Sequence, residues 1–232
     1  MSKPKTSVAA LAATVAFLVF ATTASAALVT VYRNPMQKET QRAESVKLSG
    51  ERCSRGGSDT ALRIKVGKRT QECSYRTPVI GRDLQIAATM RLLSSTPRNL
   101  RSKSFLALSL RTGGGAHYQL AIFPLQRKAQ LRKTLADGRV KFLRIAKKVR
   151  SVKGVDKANK LRLRAFNITS GPEKGNCRLL GYVGNELVAD FTDRAAGDLQ
   201  GRASGFAVGS TKSGTGVTGS VDDVVIRIPS PF

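Results

Sequence analysis

His117 is the chain's single histidine, so any proton relay built on imidazole must use it. It follows the run Thr112-Gly113-Gly114-Gly115 and precedes Tyr118-Gln119, with Arg111 just upstream. Neither a G-x-S-x-G segment nor a catalytic-cysteine context accompanies it, so no Ser-His-Asp or Cys-His nucleophile can be assembled. A lone histidine beside a glycine-rich turn reads first as an exposed turn residue. Cys53, Cys73 and Cys177 lack the spacing of a zinc site, and no metal site is expected. Asp222-Asp223 would supply only part of the six to eight oxygens that Ca²⁺ requires. Hydrogen bonding to nearby backbone at a strand start is the simpler role for that pair, so no cofactor is expected, with Ca²⁺ as the alternative.

Positive charge is the most informative chemical feature. The formal net charge is +25. Residues 127–164 carry fifteen Lys and Arg against two acids, Asp137 and Asp156. Arg132, Lys141, Arg144, Lys160, Arg162 and Arg164 would cluster if their strands were neighbours. Arginine offers a planar fork of donors that fits carboxylate, sulfate or phosphate. Charge of this size favours anionic partners, but a solvated basic surface produces the same count. No recognised nucleic-acid-binding motif is present, so no specific nucleic-acid partner is expected.

Residues 1–26 have the layout of an export signal: Lys3 and Lys5, an apolar stretch Val8–Phe20, then Ala24-Ser25-Ala26 as a cleavage site. An uncleaved anchor over Val8–Leu28 is the competing interpretation. No second long apolar run follows, so no transmembrane segment is expected after removal of the signal. The implied location is secreted or extracellular, either free or associated with the cell wall, where disulfides persist. Pairing Cys53 with Cys73 would close a loop of about 20 residues, a constraint of roughly 3 kcal/mol. Cys177 would then be an odd, inert thiol, although it is also available to either of the others.

The elements that must position these groups are strands. Leu84–Leu92 alternates apolar with small or polar residues. In Phe105–Arg111, Leu106, Leu108 and Leu110 share one parity, and Ala107, Ser109 and Arg111 the other. In Asn159–Asn167, Leu161 and Leu163 oppose Arg162 and Arg164. Period-2 alternation marks half-buried strands with one dry and one wet face. Asp137-Gly138 and Gly184-Asn185 mark hairpins. About a dozen strand candidates at even spacing, Ala61–Val66 and Thr70–Tyr75 among them, predict an all-β, antiparallel two-sheet β-sandwich over residues 27–232 as a single domain. Its N-terminal segment, residues 27–82, carries two of the cysteines. Lys147–Lys157 is predicted as a loop or short helix, and Ser94–Ser104 as a basic surface loop.

Several short stretches, in order, resemble laminin-G-like, concanavalin A-like jelly-roll domains of secreted bacterial proteins. Tyr118-Gln119-Leu120-Ala121-Ile122 is similar to their Y-x-L-x-I strand, and Asn159-Lys160-Leu161-Arg162-Leu163 to N-x-L-x-V. Tyr182-Val183-Gly184-Asn185 is similar to the V-N-G hairpin, Gly201–Phe206 to G-x-x-G-F, and Asp222–Ile226 to the closing F-D-N-V-x-V strand. The likeness spans residues 118–228. It implies a jelly roll in a superfamily of lectins, glycan-binding modules, glycoside hydrolases, polysaccharide lyases and adhesion domains, so fold alone leaves function open.

A glucanase of this fold carries E-x-D-x-E on one strand, because a retaining mechanism needs two carboxyls about 5 Å apart. None of the six glutamates, Glu39, Glu44, Glu51, Glu72, Glu173 and Glu186, lies in that pattern. Asp190 and Asp193, three apart, would face opposite sides of a regular strand. The His and Tyr of a lyase would be His117 and Tyr118, but the alginate-lyase motifs Q-I-H and Y-F-K-A-G-x-Y-N-Q are absent. With no Trp to stack on a sugar face, an acidic ligand held by Arg and Lys is favoured over a neutral one. The expectation is therefore a secreted, non-enzymatic binding domain for acidic polysaccharide or cell-wall polymer, with ligand across a face lined by Ser109, Arg111, Gln119, Arg162 and Arg164. A divergent carbohydrate-active enzyme and a structural envelope module are the alternatives.

Overall fold

The computed structural model describes residues 27–230 apart from 50, 51, 59, 196–198, 200 and 213–215. The signal expected over residues 1–26 lies outside the described residues. Two antiparallel sheets stack face to face, as the alternation requires. The first runs β13 (Glu186–Asp193), β12 (Cys177–Val183), β11 (Asn159–Asn167), β6 (Leu84–Leu92), β15 (Thr218–Pro229), β4 (Ala61–Val66) and β3 (Cys53–Ser58). The strand β1 (Leu28–Asn34) joins it by pairing with the later part of β15. The second sheet runs β10 (Val140–Ala146), β9 (Lys128–Thr134), β8 (Ala116–Phe123), β7 (Ser104–Gly113), β14 (Ala203–Ser210), β5 (Glu72–Ile80) and β2 (Val46–Ser49).

The shared core is built from alternate residues of each strand, and in β15 the inward parity switches at the bulge between Asp222 and Val225. Ile86 and Met90, Leu161 and Leu163, and Val221 and Ile226 face inward from the first sheet. Leu106 and Leu108, Leu120 and Ile122, and Phe206 and Val208 face them from the second. These side chains are fully buried, each contributing roughly 1.5–3 kcal/mol of hydrophobic stabilisation. The Asp137-Gly138 and Gly184-Asn185 hairpins lie where the turn residues predict, whereas of the run Thr112–Gly115 only Gly114-Gly115 is the turn, β7 continuing through Gly113.

Fifteen strands appear among the described residues, more than the dozen expected. Residues 147–157 are loop. Within Ser94–Ser104 the chain forms a short helix over Arg98–Arg101. Arg101 closes that segment by donating from Nε to the Thr96 carbonyl at 2.9 Å and from Nη2 to the Ser94 carbonyl at 2.6 Å. Cys53 and Cys73 form the disulfide, with Cα atoms 5.8 Å apart, and it ties the edge strand of the first sheet to β5 of the second. Cys177 is free and buried, and burial pushes its thiol up to about 11.

Candidate functional site

Where pairing is regular, register assigns the residues of β7, β8, β9 and β14 to the core face or the outer face. Leu108 pairs with Phe206 and Leu120, and all three point into the core. The alternate residues Ser109, Gly205, Gln119 and Arg132 therefore share the outer face. One layer along, Ala207, Ala107, Ala121 and Gln130 lie side by side, and beyond them Glu72, Gly209, Phe105, Phe123 and Lys128.

This outer face has an apolar cluster of its own: Phe105, Ala107, Ala121, Phe123 and Ala207, all buried. Polar side chains arch over it. Glu72 Oε1 accepts from Gln119 Nε2 at 3.0 Å, and Glu72 Oε2 accepts from Arg132 Nη2 at 3.2 Å. Gln119 Oε1 accepts from Arg132 Nε at 2.5 Å, and Gln119 Nε2 also approaches Ser109 Oγ at 3.4 Å. The Arg132 guanidinium lies 4.6 Å from the Phe105 ring centre, within the range of a cation–π contact. Phe105 can lie down on β14 because residue 209 is glycine; a Cβ there would collide with the ring.

These contacts fix the curvature of the sheet. Three strands separate β5 from β9, so on a flat sheet their backbones would stand roughly 19 Å apart. A glutamate and an arginine standing off such a sheet do not meet. The Glu72–Arg132 bridge therefore requires the second sheet to curl around its outer face, which is a trough. Small residues, Gly205, Ala207, Ala107 and Ala121, form its floor.

One rim is apolar. Val140, Phe142 and Ile145 of β10 pair with Thr134, Arg132 and Gln130, whose side chains face the trough. Phe142 is 57% exposed, and an open cavity of about 480 Å³ adjoins it along residues 142–146 and Val188. A bulge after Phe142 turns Leu143 toward the core and leaves Phe142 and Ile145 on the trough side. His117 is on the same face. Burial pushes its imidazole below the ordinary value; the Glu72 charge opposes that shift, and the Arg132 charge adds to it.

The five residues expected to line one face do not lie together. Ser109 and Gln119 belong to the trough. Arg111 leaves it: its φ of +53° at the break in β7–β8 pairing sends the side chain to the end of the sandwich. There it donates to Asn167 Oδ1 at 2.8 Å and pairs with Asp83 Oδ1 at 3.3 Å. At 3% exposure it is a structural tie. Arg162 and Arg164 occupy the outer face of the first sheet, on the far side of the molecule. Their guanidinium carbons lie 4.1 Å over the Tyr182 ring and 4.6 Å over the Phe166 ring.

Other candidates fall apart in the same way. Tyr118 points into the core and donates to Asp193 Oδ2 at 2.6 Å, so it faces away from His117. Asp190 pairs with Arg178 at 2.8 Å on the outer face while Asp193 is buried, as their spacing predicts. Asp223 pairs with Arg33 at 3.1 Å, and burial raises the Asp222 carboxyl. Among the described residues, no three His, Cys, Asp or Glu side chains converge on a metal position. The sequence singles out neither Glu72 nor Phe142, yet both lie on this face. Parity would have found Arg132 and Phe142 once β8, β9 and β10 were aligned, whereas nothing local brings Glu72 to them.

No protein-family model matches the chain, and no curated protein sequence does either. Solved structures do. The chain is similar to the carbohydrate-binding module CBM66 from Bacillus subtilis, with a TM-score of 0.59 at 12% identity over 79% of this chain and 95% of the other. A galectin-like protein of unknown function from Bacillus subtilis matches with a TM-score of 0.60 at 11% identity, over 87% and 97% of the two chains. The apo Crh5 transglycosylase matches with a TM-score of 0.57 at 8% identity, over 86% and 85%. At these identities the likeness defines the fold. The protein is an all-β, two-sheet sandwich of the jelly-roll, galectin-like kind.

Proposed function

We propose that residues 27–232 act as one secreted, non-enzymatic binding module that takes an anionic glycan or cell-wall polymer along the trough of the second sheet. The observation that carries this reading is the meeting of Ser109, Gln119 and Arg132 with an exposed aromatic ring, Phe142, on one concave face. A sugar ring needs an apolar platform and a few oriented donors, and this face offers both. The net charge of +25 draws a polyanion in and speeds its encounter. A carbohydrate-binding module among the structural neighbours agrees with that reading, and the disulfide is at home in an oxidising, extracellular setting. Arg162 and Arg164, on the opposite face, add to the long-range field without touching a ligand in the trough.

Binding to an acidic polysaccharide and to isolated cell wall tests this reading. Saturable binding that weakens between low and high salt is expected. Phe142 is exposed and not part of the core, so Phe142→Ala should keep the fold and weaken binding about tenfold, a loss of ~1.4 kcal/mol. The pair Arg162→Ala and Arg164→Ala should bind much like the wild type. No saturable binding, or a Phe142→Ala protein indistinguishable from wild type, removes the reading.

One observation favours an enzyme instead: His117, on the trough face near Glu72 and Arg132, is held toward its neutral form by burial, as a general base would be. Release of unsaturated or reducing-end product from a polysaccharide panel, lost in His117→Ala, would establish that alternative.

A further inference from the structure

The two donors that grip Glu72 come from one side of the trough, and Glu72 comes from the other. Gln119 and Arg132 stand on adjacent strands. Arg132 Nε holds the Gln119 carbonyl oxygen at 2.5 Å, which fixes the amide so that Nε2 points at the carboxylate. Phe105 supports the guanidinium from below. This pair of donors is therefore arranged without any help from Glu72. The carboxylate arrives across three intervening strands and receives one donor on each oxygen, at 3.0 and 3.2 Å. In a chain with 40 basic and 15 acidic side chains, one of the few acids neutralises the central arginine of the trough.

We infer that Gln119 and Arg132 form a carboxylate-recognition subsite that the chain fills with its own Glu72, and that a uronate-bearing glycan binds by putting its carboxylate in place of Glu72. The inference rests on the trough being the glycan site, and it names the ligand class and the internal competitor. Two donors on adjacent strands, one to each oxygen, match a planar carboxylate, whereas a sulfate would bring a third charged oxygen over the apolar floor. Exchange of one carboxylate for another conserves the hydrogen bonds, so the internal competitor lowers affinity for uronates specifically and leaves neutral sugars unaffected.

The test uses the full chain with Glu72→Ala and Glu72→Gln. Oligogalacturonate, the same oligomer with its carboxyls reduced, and a sulfated oligosaccharide are titrated by calorimetry. For oligogalacturonate, Glu72→Ala should bind on the order of tenfold more tightly than wild type; the carboxyl-reduced oligomer should show no gain, and the sulfated one a smaller gain. A second measurement needs no glycan: acetate should raise the Tm of Glu72→Ala above that in chloride at equal ionic strength, because it fills the vacated position, and should do nothing for wild type. Equal or weaker uronate binding by Glu72→Ala, an equal gain with sulfate, or no acetate rescue overturns the inference. If acetate rescues but no glycan binds either protein, the subsite stands and the glycan reading fails. If wild type binds through Phe142 but Glu72→Ala gains nothing, the reverse holds.

Discussion

Lys133 Nζ lies 2.9 Å from Asp193 Oδ2, and the pair joins the two sheets through the interior of the sandwich. Lys133 belongs to β9 and Asp193 to the end of β13, and their side chains are 3% and 9% exposed. Tyr118 and the Ala195 backbone complete the shell: Tyr118 Oη donates to Asp193 Oδ2, and the Ala195 N–H donates to Oδ1 at 2.9 Å. Lys133 also donates to the Ala195 carbonyl at 2.7 Å. A buried pair of this kind is costly to break singly, because the survivor keeps an uncompensated charge. Asp193→Ala should lower stability by roughly 3–5 kcal/mol, and adding Lys133→Met should recover much of the loss. Urea denaturation of the three variants measures both, and additive losses would mean that the pair is not coupled.

The same carboxyl predicts an acid limb of unfolding. Burial alone would raise its pKa, but the bonds from Tyr118, Lys133 and Ala195 outweigh burial and hold it below the ordinary 3.8. A depressed native pKa contributes stability that is fully present above the ordinary value and drains away as pH falls through the native one. Stability of wild type should therefore drop below about pH 4 more steeply than that of the double variant Asp193→Ala with Lys133→Met. Parallel acid limbs in the two proteins would refute this.

His117 gives an unambiguous NMR probe, since no other histidine exists. Its titration should centre below the ordinary 6.5, because burial disfavours the imidazolium. The unfolded chain therefore takes up this proton first, and stability falls as pH drops from the ordinary 6.5 to the native pKa, below which the loss levels off. Glu72 holds that pKa up, so Glu72→Gln should move it further down. A midpoint at or above 6.5 in wild type, or an upward move in the variant, contradicts the trough geometry.

Removing the disulfide with Cys53→Ala and Cys73→Ala should cost about 3 kcal/mol, from the loop it closes and from the contacts of the buried Cys73. Thermal melts with and without reductant check this independently. A Tm that neither substitution nor reductant moves would show that the cross-link constrains little.

How far the sequence could be read depended on the range of the contacts. Alternation along β11 split Leu161 and Leu163 from Arg162 and Arg164 correctly, because a strand buried on one face sorts its residues by parity. The hairpin turns were legible from Gly and Asp alone. Arg111 was misjudged because parity holds only while pairing is regular. The chain breaks register between Leu110 and Gly113, and the left-handed turn at residue 111 sends the side chain elsewhere. Arg162 and Arg164 were grouped with Ser109 because period 2 says which residues share a strand face, but not which strands share a sheet. Glu72 was invisible as a partner of Arg132 for the same reason. On the side toward β9, β5 pairs with β14 through contacts such as Cys73 with Val208, and no local pattern encodes a pairing across that much chain.

Glu72 is the first residue of its nine-residue strand, and Cys73 beside it is covalently moored to the opposite sheet. Strand ends are ordinarily where a sheet frays first. Here the weld falls at that end, so the backbone at Glu72 is tied down where a strand would otherwise fray. The backbone that carries the carboxylate thus stays in position through thermal motions that would loosen an untethered strand terminus, and yielding the subsite asks only the Glu72 side chain to swing.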